Sequence, residues 1–135
     1  MKTTAALAIL VVLSACAAQE EAITQDTEQA VRDFIAVRQL AEAKEMRTSN
    51  SDHWEEIDEN FIIYETRRET FLVEFTRRCR ELNEYPVVAD ERKGGNVVRA
   101  RFDTIRGCHI ARLFPLTEGE VAELAAIGES PGSRN

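Results

Sequence analysis

The sequence lacks the short motifs of the common enzyme classes. It contains no G-x-S-x-G, no H-E-x-x-H and no glycine-rich phosphate loop, and only two histidines occur among its 135 residues. His53 and His109 could meet Asp103 or Asp52 in a metal or acid-base site, but nothing in their spacing requires it. One hypothesis is a small periplasmic hydrolase or metal-binding protein that uses His53, His109 and Asp103; it is the alternative to a binding or structural role. We predict no cofactor.

The chain also lacks an excess of basic residues. It has 17 lysines and arginines against 24 acidic residues, which gives a formal net charge of −7. A protein that binds nucleic acid needs a basic surface to neutralise phosphates. We therefore exclude nucleic acid as a partner.

No apolar run is long enough to cross a bilayer. The longest, AALAILVVL from Ala5 to Leu13, follows a single charge at Lys2. It is far shorter than the roughly 20 residues that a membrane-spanning helix needs. This pattern is typical of a secretory signal segment.

The residues after this run resemble a bacterial lipobox. LSAC, from Leu13 to Cys16, combines a leucine, two small residues and a cysteine. The resemblance implies a lipoprotein signal peptide at 1–15 and a mature chain held on the lipid bilayer by acylated Cys16. The alternative is an ordinary signal peptide with a chance cysteine. Ala17 in the next position is similar to lipoproteins that Gram-negative cells forward to the outer membrane, on its periplasmic side.

Cysteines are few, and their number predicts one disulfide. If Cys16 carries lipid, Cys79 and Cys108 remain in an oxidising compartment, where two thiols most simply pair. Closing a loop of about thirty residues would stabilise the fold by roughly 3 to 4 kcal/mol. The spacing is unlike C-x-x-C, so we do not predict a redox-active pair.

The mature chain has the length of one domain. We predict an acidic tether at 16–27, a single α+β domain at 28–128 and a disordered tail at 129–135. An apolar stripe at helical spacing predicts a helix over roughly 28–37, with Thr27 as its cap. Residues 38–48 fit a helix or a strand equally well.

Alternating apolar residues predict antiparallel strands in the middle of the chain. RTSNSDHW is predicted as a loop, and NFIIYETRRETFLVEF as a hairpin that turns at Arg67 and Arg68. TRRCREL is predicted as a turn. NVVRARFDTI is predicted as one strand with Val98, Ala100 and Phe102 on a single face, and CHIARLFPL as the strand after it.

The last element is a predicted helix. Thr117 and Glu120 form a T-x-x-E capping box, Leu116 can staple against Val121, and Gly128 ends the helix. The fold class that follows is α+β, a small antiparallel β-sheet domain with a C-terminal helix packed on it.

Several features between residues 30 and 128 recur together in one family. They are an apolar hairpin and the residues Trp54, Asp58, Cys79, Phe102, Asp103, Cys108, His109 and Ile110. With these features the sequence resembles a family of small uncharacterised proteobacterial lipoproteins that share a domain of unknown function. The resemblance implies a mostly β core and supports the disulfide, but it implies no activity.

Basic residues concentrate in one segment. Residues 67–112 hold 11 basic and 7 acidic side chains. Arginine's planar fork suits carboxylates and phosphates, so Arg67, Arg68, Arg99 and Arg101 form a candidate surface for an anionic envelope component or a protein partner. The alternative is that these arginines pair with the protein's own acids.

Trp54 is a further candidate for a ligand contact, and the alternative is a core position. Taken together, the residues predict a lipid-anchored envelope protein that acts by binding or as a structural component.

Overall fold

A computed structural model describes the backbone of residues 15–49, 52–83 and 96–129, with side chains from residue 26 onward except at 83. Residues 1–14 of the signal peptide predicted at 1–15, the Cys16 side chain, residues 50–51, the connection at 84–95 and the tail beyond 129 lie outside the described residues. The elements are α1 (Ala15–Arg38), β1 (Glu45–Arg47), β2 (His53–Asp58), β3 (Phe61–Glu65), β4 (Thr70–Phe75), a 3-10 helix η1 (Arg80–Asn83), β5 (Val97–Arg99), β6 (Thr104–Ile105), β7 (Cys108–Leu116) and α2 (Glu118–Gly128).

In the part of the chain that the structure describes, the main sheet has five antiparallel strands in the order β2-β3-β4-β7-β6. Its centre is the predicted hairpin, in which Tyr64 pairs with Phe71 and Glu65 with Thr70. The α+β class is confirmed. The predicted loop over RTSNSDHW is wrong at its end, because His53 and Trp54 belong to β2.

We name the two ends of this sheet by the turns that lie there. The Asn60 end holds the β2–β3 turn, and the Thr66 end holds the β3–β4 loop. Pairing in register places Phe75 and Ile110 at the Asn60 end. His53 and Leu116 lie at the Thr66 end.

A second sheet has two strands, β1 and β5. The segment 38–48, left open by the sequence, therefore contains a short strand after α1 ends at Arg38. Met46 and Val98 pair in this sheet and are both buried. They pack against the main sheet in the same apolar cluster as the disulfide.

The single strand predicted over NVVRARFDTI is wrong. The chain leaves β5 at Arg99, turns and re-forms as β6 at Thr104. Phe102 is consequently at the tip of a turn and 78% exposed, not on a buried face with Val98.

Helix α1 is longer than predicted. It begins at Ala15, so the backbone of the predicted tether is helical, and Thr27 is a buried residue inside the helix instead of its cap. Val31, Phe34 and Ile35 pack against the main sheet. No helix within the described residues combines the length and the apolar character that crossing a membrane requires.

Helix α2 begins as predicted. The Thr117 side chain accepts from the backbone N–H of Glu120, and the Glu120 carboxylate accepts from the backbone N–H of Thr117. Gly128 is the last helical residue, but the residue after it, Glu129, has right-handed helical angles. Gly128 instead allows close packing, because a Cβ there would lie 3.4 Å from Cα of Ile57.

Two apolar clusters cover opposite faces of the main sheet. The first joins α1 and α2 to side chains such as Phe61, Leu72 and Phe114. The second lies under β1 and β5 and includes Ile62, Tyr64 and Val73. Alternate residues of β3 and β4 therefore enter different cores, which is why these strands are apolar throughout.

The predicted disulfide between Cys79 and Cys108 is present, with the two Cα atoms 5.7 Å apart. Both cysteines are buried in the second cluster. The bond joins the segment after β4 to the first residue of β7.

Candidate functional site

The β3–β4 loop presents Arg67 and Arg68 on a fixed backbone. The Thr66 hydroxyl accepts from the backbone N–H of Glu69 at 3.1 Å and donates to the Glu69 carbonyl at 2.8 Å. The Thr66 N–H donates to the same carbonyl at 2.9 Å. Such side-chain bonds to the backbone define tight loops, so Thr66 fixes the backbone that carries the two exposed arginines.

A depression of about 530 Å³ lies beside this loop at the Thr66 end of the sheet. Strands β2, β3 and β7 and the first turn of α2 contribute to it. Its lining is formed by His53, Glu55, Ile63, Glu65, Thr66, Arg67, Arg68, Glu69, Thr70, Pro115, Leu116, Glu118 and Val121.

Both signs of charge occur in this depression. Arg67 and Arg68 line it together with four glutamates, Glu55, Glu65, Glu69 and Glu118. A ligand made only of phosphates would be repelled by these acids. The site therefore suits a partner that carries both acidic and basic groups beside an apolar part, as a peptide or protein surface does.

Arg99 and Arg101 lie elsewhere. The backbone N–H of Arg101 donates to the carbonyl of Ile110, at the Asn60 end of the sheet. Arg99 and Arg101 are 3.7 Å and 3.6 Å from carboxylate oxygens of Glu45 and Glu42. The four arginines proposed from the sequence thus form two surfaces, one at each end of β4.

The two histidines and Asp103 do not assemble into one site. His53 is the first residue of β2 at the Thr66 end, whereas His109 pairs with Thr104 at the start of β7. The Asp103 carboxylate accepts from the backbone N–H of Arg99 at 2.7 Å. Among the described residues, the group that satisfies metal-ligand spacing includes neither histidine.

That group is Cys79, Glu81 and Cys108, whose ligand atoms lie within 4.8 Å of one another. One carboxylate oxygen of Glu81 is 3.2 Å from Sγ of Cys108. The two sulfurs are bonded to each other. They are therefore not thiolates, which are the form of cysteine that binds metal ions.

Trp54 is partly buried and packs against the second apolar cluster. The Arg106 guanidinium lies 5.5 Å from the centre of its ring, within cation-π distance. Trp54 is therefore part of the core rim, as the alternative interpretation of the sequence had it.

Asp58 is a buried acid in the β2–β3 turn. One carboxylate oxygen accepts from the backbone N–H groups of Asn60 and Phe61 at 2.7 and 2.9 Å, and the other is buried and has no hydrogen-bond partner among the described residues. Burial raises the pKa of Asp58 to about 6, although the two N–H groups act in the opposite direction. The negative charges of Glu28 and Glu56 raise the pKa of Asp58 further.

We expect stability to fall as the pH rises from about 4 to about 6. In this range folded Asp58 keeps a proton that the unfolded chain, with a pKa near 3.8, has lost. The difference between the pKa values of Asp58 in the folded and unfolded chain corresponds to a loss of roughly 2 to 3 kcal/mol in the free energy of unfolding. Chemical denaturation across this range should show the decline in wild type and in the exposed control Asp33→Asn, but not in Asp58→Asn. An equal decline in Asp58→Asn would assign it to another group.

Sequence reasoning identified the Arg67–Arg68 loop but missed the acids around it. Glu65 and Glu69 flank the arginines in ETRRET, so the sequence alone shows that these two acids lie near Arg67 and Arg68. Glu55 and Glu118 enter from other elements. Their positions depend on strand register and on the start of α2, which the local pattern does not give.

No curated protein and no solved structure has significant similarity to the chain. The model of a family matches residues 1–127, which is nearly the whole sequence. Its description is Family of unknown function (DUF6491), and the chain belongs to this family.

Proposed function

We propose that the protein is a lipid-anchored component of the bacterial envelope that binds a protein partner on the periplasmic side of the outer membrane. The anchor would be acylated Cys16, and Ala17 supports the outer membrane as the location of the protein. The partner surface would be the Arg67–Arg68 loop with the adjacent depression.

The observation that carries the proposal is the continuity of α1 from the lipobox into the domain. The helix runs unbroken from Ala15 to Arg38, and Val31 is fully buried in the first apolar cluster. At 1.5 Å per residue, about 22 Å of helix separates Cys16 from Val31. An acyl group at Cys16 would thus be joined to the domain through one continuous helix.

Helix α1, which would carry the anchor, and the Arg67–Arg68 loop reach the sheet at opposite ends of β3. A carboxylate oxygen of Glu28, in α1, accepts from the side-chain amide of Asn60 at 3.0 Å. Helix α1 therefore approaches the sheet at the Asn60 end, while Arg67 and Arg68 lie at the Thr66 end. In a chain held by Cys16, the loop would therefore face away from the membrane.

The mixed charges of the depression favour a protein over a purely anionic lipid or glycan. Arg67 and Arg68 offer planar donors for carboxylates. The acids beside them, Glu55 and Glu69 among them, would accept from lysine or arginine. Electrostatic complementarity of this kind provides specificity and a faster association rate.

One experiment tests both parts of the proposal. The protein would carry a photocrosslinking residue in place of Arg68 and be irradiated in cells, extracted from the native membrane and analysed by intact mass. We expect an uncrosslinked species that begins at triacylated Cys16, and one discrete crosslinked product. The matched control carries the same residue in place of Asp33, an exposed position on α1.

An unacylated chain would contradict the anchor. An acylated chain that gives the same background products from positions 68 and 33 would leave the anchor standing and contradict the binding surface.

A further inference from the structure

Phe102 is a large apolar side chain at the tip of a turn, and it is 78% exposed. A single exposed apolar residue is ordinary on a protein surface. Three further features make this one informative: a rigid backbone, flanking arginines and a place at the end of the domain where α1 enters.

The turn is held by several hydrogen bonds. The Asp103 carboxylate accepts from the N–H of Arg99, the Asp103 N–H donates to the Arg99 carbonyl at 3.1 Å, and the Arg101 N–H donates to Ile110. Arg101 has φ of 69°, a left-handed conformation that costs free energy in any residue except glycine. The fold thus holds Phe102 outward on a backbone under strain.

Arginines flank this tip. The side chains of Arg99 and Arg101 are 56% and 73% exposed, and each is at least 3.6 Å from its nearest carboxylate. Exposed pairs of this kind are weak and exchange readily with water or other anions. Arg78 and Arg80 follow the end of β4 at the same end of the sheet.

The turn lies at the end of the domain where α1 enters. Arg101 bonds to Ile110, Ile110 pairs with Phe75, and the Phe75 N–H donates to the carbonyl of Asn60. Asn60 in turn binds Glu28 of α1. Three strand spacings, roughly 14 Å, separate the turn from Asn60 across the sheet.

We propose that the Arg99–Phe102 turn docks on the membrane that carries the lipid anchor, so this inference rests on the proposed function. Phe102 would enter the interface between headgroups and acyl chains. Arg99 and Arg101 would bind the phosphates of anionic phospholipids, for which the guanidinium fork is suited. Each arginine near an anionic surface strengthens the attraction about fivefold.

The test uses tryptophan fluorescence of the full acylated chain reconstituted in vesicles. Trp54→Phe removes the native tryptophan, and Phe102→Trp adds a reporter to that background. The matched control is Val37→Trp in the same background, because Val37 is 80% exposed in the last turns of α1, away from the Asn60 end. The vesicles contain phosphatidylethanolamine and phosphatidylglycerol, with bromine on the acyl chains as the quencher.

We expect a blue shift and strong quenching for Phe102→Trp, weaker quenching in vesicles without phosphatidylglycerol, and neither effect for Val37→Trp. A chain that does not float with the vesicles contradicts the anchor and this inference with it. A chain that floats but leaves Phe102→Trp unquenched contradicts the docking alone. A blue shift without quenching means that protein covers Phe102, and equal quenching in both lipids overturns the role of the anionic headgroups.

Discussion

Replacing Cys79 and Cys108 together by alanine is expected to lower the free energy of unfolding by roughly 3 to 4 kcal/mol, the chain-entropy estimate for this loop. The two residues are 29 apart in sequence, so the bond removes many conformations from the unfolded chain. Alanine is the suitable replacement because both sulfurs are buried among apolar side chains. Serine would place an unpaired hydroxyl there.

The measurement is denaturant unfolding of wild type and of the double variant, each with and without reductant. Reductant should bring wild type to the stability of the variant and leave the variant unchanged. A loss of this size is a large share of the stability of a small domain. Wild type that unfolds at the same denaturant concentration with and without reductant would show that the bond adds no stability.

The elements that the sequence predicted correctly are those determined by neighbours along the chain. The β3–β4 hairpin follows from two apolar runs around a charged loop, and α2 from the capping box of Thr117 and Glu120. The disulfide followed from having two cysteines left for an oxidising compartment. The hairpin and α2 do not depend on which distant segments meet, and the disulfide could be predicted because the two remaining cysteines allow a single pairing.

The elements that were missed depend on tertiary contacts. Strand β2 has the polar sequence HWEEID, and a register shift between Glu56 and Asp58 interrupts its alternation. Val98, Ala100 and Phe102 alternate as a strand would, yet Asp103 folds the chain into a turn between them. Likewise, Arg67 and Arg99 were grouped by sequence although β4 separates them.

Glu74 is a buried acid whose partners were also invisible in the sequence. It lies on β4, its side chain is 6% exposed, and it accepts from Arg32 of α1 at 2.7 Å and from Arg112 of β7. The bond to Glu74 is the main cause that raises the pKa of the Arg112 guanidinium above its ordinary value. The guanidiniums also lie over the rings of Phe61 and Phe114. One carboxylate thus joins a helix and two strands.

Glu74→Gln is expected to lower the free energy of unfolding by about 3 kcal/mol. The substitution keeps the size of the side chain but leaves two arginines beside a neutral amide. Because Arg32 and Arg112 bind different oxygens of Glu74, the amide NH2 would replace the acceptor of one of them. Breaking a buried ion pair costs about 3 to 5 kcal/mol, and the lower value applies because Arg32 and Arg112 can partly reach water.

Glu123→Gln is the matched control, because Glu123 also pairs with an arginine of α1. Its partner is Arg38, and the two side chains are 50% and 46% exposed. Exposed pairs contribute about 0 to 1 kcal/mol, so denaturant unfolding should barely distinguish this variant from wild type. Equal losses in the two variants would mean that burial of Glu74 is not what makes its pairs strong. A normal stability for Glu74→Gln, with hydrogen exchange of α1 unchanged, would mean that the contacts of Glu74 are not needed to hold the helix to the sheet.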